Sequence, residues 1–224
     1  MNEFQRLELQ IGQENLQKLY SARVAIFGLG GVGGFVAESL VRSGIGNFTI
    51  IDKDIVDITN INRQIIATHS SIGKPKIEVF KDRILDINPN AKVTEIQAYF
   101  GKDNIDLDFT QFDYIIDAVD DINAKIEIIR QAKLNNVPVI SAMGAGNKFD
   151  PLKLRVCDIS MTNTCPLAKI MRQKLQELGI SGVKCVFSIE KPIKIEEKTI
   201  SSNAFVPSVA GILIAREVVF DLIK

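Results

Sequence analysis

Runs of apolar residues along the chain predict a series of β-strands. RVAIFG (23–28) is apolar after its first residue, which suits a strand buried on both faces of a sheet. Further strands are predicted at NFTIID (47–52), DYIIDAVD (113–120) and VPVISAMG (137–144), with a weaker candidate in KVTEIQAYF (92–100). We therefore expect five strands before residue 146.

Apolar residues at helical spacing separate these strands. Val36, Leu40 and Val41 share one face of a predicted helix that Gly44 ends. Further helices are predicted over residues 5–20, with a break at Gly12, over 76–88, with Pro89 ending it, and over 124–135. The alternation predicts an α/β fold, a doubly wound, Rossmann-like and mostly parallel sheet with helices on both faces.

The last third of the chain departs from this alternation after Gly146. LKLRVCDIS (152–160) and VKCVFSIEKPIKI (183–195) predict two more strands, with a helix over about 166–178 and a final apolar helix after Pro207. We expect this third to be modified and partly antiparallel. Because the chain has no internal repeat, low-complexity tract or obvious linker, we expect a single domain over residues 1–224.

Charge and cysteine content exclude some classes of protein. Lys plus Arg and Asp plus Glu both number 27, so the chain is not a generally basic nucleic-acid coat, although a local basic patch stays open. Three cysteines without a CxxC pair exclude a disulfide scaffold and a four-thiolate zinc site. The amino terminus does not resemble a signal peptide, and the longest uncharged stretch (199–215) is shorter than the roughly 20 apolar residues of a membrane span. We expect a soluble, cytoplasmic protein without a membrane span.

A glycine-rich loop is the first candidate for chemistry. GLGGVG (28–33) matches G-x-G-x-x-G between a predicted strand and a predicted helix, where glycine lets the backbone approach phosphates. Asp52 ends the next strand, where a carboxylate can accept ribose hydroxyls. Alone, the motif would also fit an NAD dehydrogenase or a tight turn without a ligand.

Polar residues after the later strands favour a triphosphate over nicotinamide. TNINRQ (59–64) contains Arg63, and Lys76 opens the helix after it. Both are residue types that stabilise the charge of a triphosphate that is being cleaved. Asp117 and Asp120 follow the fourth strand, where they would face the ligand crevice, and Asp120 could hold Mg²⁺. Ordinary surface charges on a solvated loop are the alternative for any one of them.

Five motifs in this order resemble the superfamily of ubiquitin-activating and ThiF/MoeB-type adenylating enzymes. They are GxGGVG, IIDxD, TNxNRQ, IGxPK and DAxDD, and with Arg6 they cover residues 6–150. The shared reaction of this superfamily is the ATP-dependent adenylation of a carboxylate. The resemblance implies an ATP-binding half in residues 1–150 and a substrate-facing part in 151–224.

The resemblance also implies roles for individual residues. Asp52 would bind ribose, Arg63 and Lys76 the phosphates, and Asp120 the Mg²⁺. Arg6, in FQRLELQIG, would reach ATP from the partner subunit of a homodimer, and would join Arg63, Lys76 and Asp120 as a catalytic residue. The residues expected to contact ATP are Gly28, Gly30, Gly31, Gly33, Asp52, Asp54, Asn60, Arg63, Gln64, Lys76 and Asp120.

The second half of the chain narrows the resemblance to one branch. Its segments GAGNKFDPLKLRVCDISMT (144–162), CPLAKIMRQKLQ (165–176), VKCVFSIEKP (183–192) and SSNAFVPSVAG (201–211) are similar to the bacterial tRNA threonylcarbamoyladenosine dehydratases. This branch implies adenylation of the carboxylate on the modified adenosine 37 of tRNA. Cyclisation then releases AMP, after pyrophosphate has left.

Two other functions remain open from the sequence. One is a MoeB/ThiF-type adenylyltransferase that activates the C-terminal glycine of a ubiquitin-like sulfur-carrier protein. The other is a non-catalytic nucleotide-binding or redox-partner module that docks a cysteine desulfurase or sulfur-acceptor system.

Single residues outside the motifs give weaker hypotheses. Cys165 stands where the branch usually has Asp, and we expect it to be exposed and the more reactive thiol, whereas Cys185 suits a buried structural thiol. His69 suits a loop residue better than a base. Basic residues that could follow tRNA phosphates, or form a solvated face with interleaved glutamates, are Lys169, Arg172, Lys174, Lys184, Lys191, Lys194 and Lys198.

Overall fold

The computed structural model describes residues 3–101, 106–196 and 199–224. Two short helices, α1 (Gln5–Ile11) and α2 (Gln13–Ser21), come first and are separated by Gly12, whose φ is 81°. The elements that follow are β1 (Arg23–Phe27), α3 (Gly33–Arg42), β2 (Asn47–Ile51), α4 (Lys76–Ile87), β3 (Lys92–Ile96), β4 (Tyr114–Asp117), α5 (Ile122–Leu134), β5 (Val139–Ala142), β6 (Leu154–Asp158), α6 (Pro166–Glu177), β7 (Lys184–Ser188) and α7 (Val206–Ile223).

The strands form one seven-stranded sheet in the order β3-β2-β1-β4-β5-β7-β6. All neighbouring pairs are parallel except β6 and β7, which are antiparallel. The direction of winding reverses between β1 and β4, so the crevice at the carboxyl ends of these two strands is where such folds bind ligands. The predicted fold class, including its partly antiparallel last third, is confirmed.

Strand β1 shows why a continuously apolar run predicts a central strand. Val24 and Ile26 belong to one core, with α3, α4 and α7, and Ala25 and Phe27 belong to a second core, with α5 and α6. All four residues are fully buried. Successive side chains point to opposite faces of a strand, so both sets must be apolar when helices cover both faces.

Several boundaries differ from the sequence-based prediction; the strand predicted over residues 92–100, for example, ends at Ile96. Helix α5 begins at Ile122 rather than at residue 124, because the Asp121 side chain caps it by accepting from the Ala124 N–H at 2.8 Å. The polar segment after β2, predicted as a loop, contains one 3₁₀ turn (Ile58–Asn60) capped by Asp57. No helix within the described ranges is both long enough and apolar enough to span a membrane.

Candidate active site

The glycine-rich loop joins β1 to α3 at the winding reversal of the sheet. Gly28 has a φ of 86°, and a β-carbon on it would lie 2.8 Å from the carbonyl oxygen of Ala118, just after β4. A β-carbon on Gly33 would lie 1.8 Å from the Gly28 carbonyl oxygen. Only glycine allows this tight turn and its close packing on the segment after β4.

The other two loop glycines face the segments that carry the predicted phosphate ligands. A β-carbon on Gly30 would lie 3.8 Å from Gln64 Nε2. One on Gly31 would lie 3.5 Å from the Arg63 carbonyl oxygen and 3.2 Å from Pro207 at the start of α7. The structure therefore brings the glycine loop and the TNINRQ segment together.

Asp52, directly after β2, connects the glycine loop to the next segment. Its Oδ2 accepts a hydrogen bond from the Leu29 N–H at 2.6 Å, and its Oδ1 accepts from the Asp54 N–H at 2.8 Å. A carboxylate has about four acceptor sites, so these two bonds leave sites for ribose hydroxyls. The predicted ribose role is compatible with this geometry and stays a prediction.

The turn after β2 fixes how Arg63 and Gln64 leave the backbone. The buried Asn60 accepts the Asp57 N–H at 3.1 Å with its side chain. Its carbonyl accepts the N–H groups of Arg63 and Gln64 at 3.0 and 2.9 Å. Asn60 therefore shapes the turn, and its contact with ATP stays a prediction.

Arg63 carries a charge that no carboxylate neutralises within the described part of the chain. Its Nη1 donates to the Thr59 carbonyl at 2.7 Å and to Asn62 Oδ1 at 3.0 Å, both neutral acceptors. The residue is half-buried, and its carbonyl oxygen lies beside Gly31 of the glycine loop. A guanidinium whose partners are neutral oxygens retains unused N–H donors and its full charge, so it can bind an anion.

Gln64 supplies the clearest sign of a ligand-binding site. Gln64 is buried, and its Oε1 is the one buried side-chain oxygen or nitrogen without a hydrogen-bond partner among the residues described. Leaving such an atom unpaired is costly, so native proteins rarely do so without a ligand or water. A ligand seated on the glycine loop with an N–H or O–H donor would satisfy it, and the amine and hydroxyl groups of ATP fit this requirement.

Lys76 and Asp54 form an ion pair at the start of α4. Lys76 Nζ lies 2.9 Å from Asp54 Oδ2, with the lysine side chain 5% exposed and the aspartate side chain 51% exposed. An ammonium group has three donors, so Lys76 can hold Asp54 and still contact a phosphate. Asp54 thus acts on Lys76 directly, which is a contact that the motif alone does not show.

The two aspartates after β4 have different environments. Asp117 was predicted to face the crevice, and this is wrong: its side chain is fully buried and paired with Lys125 Nζ at 3.0 Å. Asp120 is exposed, with no hydrogen bond or ion pair to any other described residue. Residues 3–101, 106–196 and 199–224 contain no cluster of three potential metal-ligating side chains. A single free carboxylate still fits Mg²⁺, which takes one or two carboxylates together with substrate phosphates and waters.

Arg6 lies exposed on α1 and has no ion-pair partner in the described part of the chain. The contacts of this chain do not bring it to the glycine loop. Its predicted role depends on a second subunit and stays a prediction.

Cys165 is the clearest error among the predicted properties of single residues. It was expected to be exposed, but it is 3% exposed and belongs to the core under α6. Helix α6 buries Ala168 and Met171 against the sheet, and this packing draws its first turn inward. Cys185 is fully buried, as expected for a structural thiol, and burial raises its pKa. His69 lies exposed in its loop.

The predicted basic cluster is smaller than its sequence suggests. Arg172 donates to the Thr162 carbonyl, and Lys184 pairs with Glu217 and Asp221. Lys198 lies outside the described residues. The members that remain exposed are Lys169, Lys174, Lys191 and Lys194.

Lys125 and Ser141 are polar residues beside the site that the sequence analysis missed. Both are fully buried, and both contact Asp117. Lys125 lies in the same apolar stripe of α5 as Ile128, Ile129 and Ala132. The sequence signal for Lys125 is a lysine at a position within the apolar face of a helix.

Comparison with known proteins agrees with this arrangement. The tRNA threonylcarbamoyladenosine dehydratase of Bacillus subtilis is 44% identical over 100% of this chain and 96% of its own length. The dehydratase of Escherichia coli is 38% identical over 80% of this chain and 70% of its own length.

The solved structures give the same result at the level of the fold. The E. coli dehydratase in complex with ATP superposes with a TM-score of 0.90 at 32% identity, covering 98% of this chain and 93% of that chain. The ThiF family model matches residues 4–222. As its five motifs indicated, the chain belongs to the ThiF family.

Proposed function

We propose that this protein is an ATP-dependent dehydratase of threonylcarbamoyladenosine in tRNA. The observation that carries the proposal is the full-length similarity to the B. subtilis dehydratase, which includes the segment after residue 150 as well as the nucleotide motifs. The molybdopterin-synthase adenylyltransferases of Haemophilus influenzae and E. coli are 32% and 30% identical over 77% and 58% of this chain, against 44% over 100% for the B. subtilis dehydratase. The difference in coverage favours the tRNA substrate over a carrier protein.

ATP is the first substrate of the proposed reaction. The E. coli relative was solved in complex with ATP, and this chain has the glycine loop, the free Arg63 guanidinium and the unpaired Gln64 Oε1 on one crevice. We assign the glycine loop, Asn60, Arg63, Gln64 and Lys76 to the nucleotide phosphates and base, and Asp52 to ribose. Asp54 would act by orienting Lys76.

Asp120 is our candidate for a Mg²⁺ ligand. Its carboxylate is exposed at the mouth of the crevice without a protein partner among the described residues, as a metal shared with substrate phosphates requires. Mg²⁺ would supply charge neutralisation on the phosphates. Asp120 itself would hold and orient the ion.

The chemistry follows from the substrates. The carboxylate of the modified nucleoside attacks the α-phosphorus of ATP, a new C(O)O–P bond forms, and pyrophosphate leaves. The ureido nitrogen of the same side chain then attacks the acyl carbon, the ring closes, and AMP leaves with the former carboxylate oxygen. The net change in the nucleoside is the loss of one water. Because both nucleophiles belong to the substrate, the protein contributes positioning and charge stabilisation from Arg63 and Lys76.

A homodimer and a tRNA surface complete the proposal. Arg6 is exposed and unpaired within the described chain, which suits a residue that acts on the site of a second subunit. Residues 1–150 would bind ATP, and residues 151–224, with the exposed Lys169, Lys174, Lys191 and Lys194, would face the tRNA. Cys165 and Cys185 are buried and give no support to a cysteine desulfurase partner, and the third cysteine, Cys157, is half-buried.

The test is a direct assay on the nucleoside. Purified protein is incubated with ATP, Mg²⁺ and tRNA carrying threonylcarbamoyladenosine, and the tRNA is digested for nucleoside mass spectrometry. We expect the mass to fall by one water, with one AMP formed per nucleoside changed. The control is tRNA without the modification.

An unchanged nucleoside mass in a protein that binds ATP would contradict the proposed acceptor. ATP–pyrophosphate exchange that depends on an added carrier protein ending in Gly-Gly would then support an adenylyltransferase.

A further inference from the structure

A buried polar cluster lies directly behind the segment that joins β4 to α5. Asp117 and Lys125 are both fully buried, and their charged groups are 3.0 Å apart. Ser141, on the neighbouring strand β5, donates its hydroxyl to Asp117 Oδ2 at 2.5 Å. None of the roles assigned above to the nucleotide site uses this cluster.

Hydrogen bonds from the cluster and from β1 fix the backbone of Ala118 and Val119. Lys125 Nζ donates to the Val119 carbonyl at 3.0 Å, and the Val119 N–H donates to Asp117 Oδ1 at 3.3 Å. The Ala118 N–H donates to the Phe27 carbonyl at 2.8 Å. The segment is therefore held by β1 on one side and by Lys125 on the other.

Both ends of this segment meet the nucleotide site. Ala118 packs on the glycine loop so closely that a β-carbon on Gly28 would lie 2.8 Å from its carbonyl oxygen. Asp120 follows Val119, and Asp121 is fixed as the cap of α5. The backbone of Asp120, from which the free carboxylate extends, consequently lies between two immobilised neighbours.

Stability alone does not explain a lysine at this position. A buried ion pair contributes less to stability than well-packed apolar residues of similar volume, and position 125 lies in an apolar stripe where Ile128 and Ile129 are its neighbours. Removing only one partner leaves an uncompensated buried charge. The pair is better explained by what it holds in place.

We propose that Lys125 is a positioning residue of the nucleotide site, holding residues 118–120 against Gly28 through Asp117 and the Val119 carbonyl and so placing Asp120. The inference rests on the proposed function only in taking ATP and Mg²⁺ as ligands. Lys125 affects the affinity for Mg·ATP through the position of Asp120.

The test compares a variant that removes both charges with the wild-type protein. Lys125→Met combined with Asp117→Asn leaves no lone buried charge, and Asn can still accept from Ser141. ATP binding is measured by calorimetric titration, once with MgCl₂ and once with EDTA, beside the unfolding temperature. We expect affinity to fall about tenfold or more with Mg²⁺ and less than about threefold in EDTA, as for residues that orient a metal ligand.

Three further variants separate positioning from general destabilisation. Lys184→Met with Asp221→Asn removes a Lys–Asp pair at the opposite end of the sheet, where the nitrogen and oxygen are 2.5 Å apart, and should lower the unfolding temperature without changing ATP affinity. Adding the Lys125 and Asp117 changes to Asp120→Asn should weaken Mg·ATP binding by no more than about twofold beyond Asp120→Asn alone, since effects that act through one residue do not add. Lys125→Arg on its own keeps the positive charge, so this variant should bind Mg·ATP as the wild-type protein does.

The outcomes are distinguishable. Equal losses of affinity with and without Mg²⁺, full additivity with Asp120→Asn, or unchanged Mg·ATP binding would each overturn the positioning role. Failure of the wild-type protein to bind ATP would instead overturn the proposed function. A protein that binds ATP but leaves the tRNA unchanged would refute only the acceptor, because the titration uses no tRNA.

Discussion

The two ends of strand β4 each carry a buried polar side chain, yet the partners of these two side chains differ. At the carboxyl end, Asp117 is fully buried and joins Lys125 to the segment beside the glycine loop. At the other end, the Tyr114 hydroxyl donates to Asp221 on α7 at 2.8 Å. Asp221 also binds Lys184, which begins β7.

This difference indicates that the two ends of one strand serve different purposes, stability at one end and function at the other. The Tyr114 end connects β4 to α7 and β7, and this end of the strand lies away from the crevice. The Asp117 end connects a strand to a loop that has an unpaired Asp120, and ligands bind at that edge of parallel sheets. Substitutions at the Tyr114 end should change stability, and substitutions at the crevice should change turnover.

Asp120→Ala should give the largest effect on turnover. Loss of a Mg²⁺ ligand removes several kcal/mol of charge stabilisation, so we expect ATP-dependent dehydration to fall about 1,000-fold. Because Asp120 has no partner in the described chain, the unfolding temperature should stay the same. The rate of AMP formation measures turnover, and a thermal unfolding curve measures the unfolding temperature. A variant with near wild-type turnover would remove Asp120 from the site.

Arg63→Ala should reduce turnover about 100-fold, as expected for loss of one group that stabilises transition-state charge. The free energy of unfolding should change by less than about 0.5 kcal/mol, because its hydrogen bonds are exposed. Single-turnover formation of AMP is the measurement. Arg23, whose guanidinium pairs with Asp113 at the amino end of β1, away from the crevice, provides the control Arg23→Ala. Equal losses in both variants would contradict a phosphate role for Arg63.

Asp221→Asn should lower stability by about 2 kcal/mol at pH 7, since it weakens charge-assisted hydrogen bonds at the Tyr114 end. Burial alone would raise the pKa of Asp221, but hydrogen bonds from Lys184, Tyr114 and Lys224 outweigh it and lower that pKa. The wild-type advantage should therefore be complete above about pH 5 and decrease as pH falls below the unfolded-state pKa of about 3.9.

Denaturant unfolding of both proteins between pH 7 and pH 3 measures this difference. Turnover at pH 7 should be unchanged below the unfolding temperature. A difference in stability that is independent of pH would show that the Asp221 carboxylate does not carry the effect.

Tyr114→Phe should give the smallest effect, about 1.5 kcal/mol of stability, the lower end of the range for one hydrogen bond to a charged group. Asp221 keeps its lysine partners in this variant. ATP affinity and turnover should equal those of the wild-type protein. A loss of ATP affinity in this variant would break the proposed separation between the two ends of β4.

Sequence analysis located most of the fold because helices cover both faces of the sheet. Apolar runs such as RVAIFG mark strands buried on both sides, and Gly28 and Gly33 mark a turn that no other residue can form. The family resemblance assigned Arg63 and Gln64 to ATP, and the structure brings both residues next to the glycine loop. The errors concern burial: Asp117 and Cys165 were expected to be accessible, and both are buried.

Local pattern by itself determined the order of the elements, the glycine turn and the ThiF motifs, because these depend on backbone geometry and on residues close in the chain. Tertiary structure decided which charges are free and which are paired. Lys125 reaches Asp117 across the β4–α5 connection, Ser141 reaches it from a neighbouring strand, and Asp54 reaches Lys76 across 22 positions. Only packing brings such partners together, and whether a side chain retains its charge for a ligand depends on them.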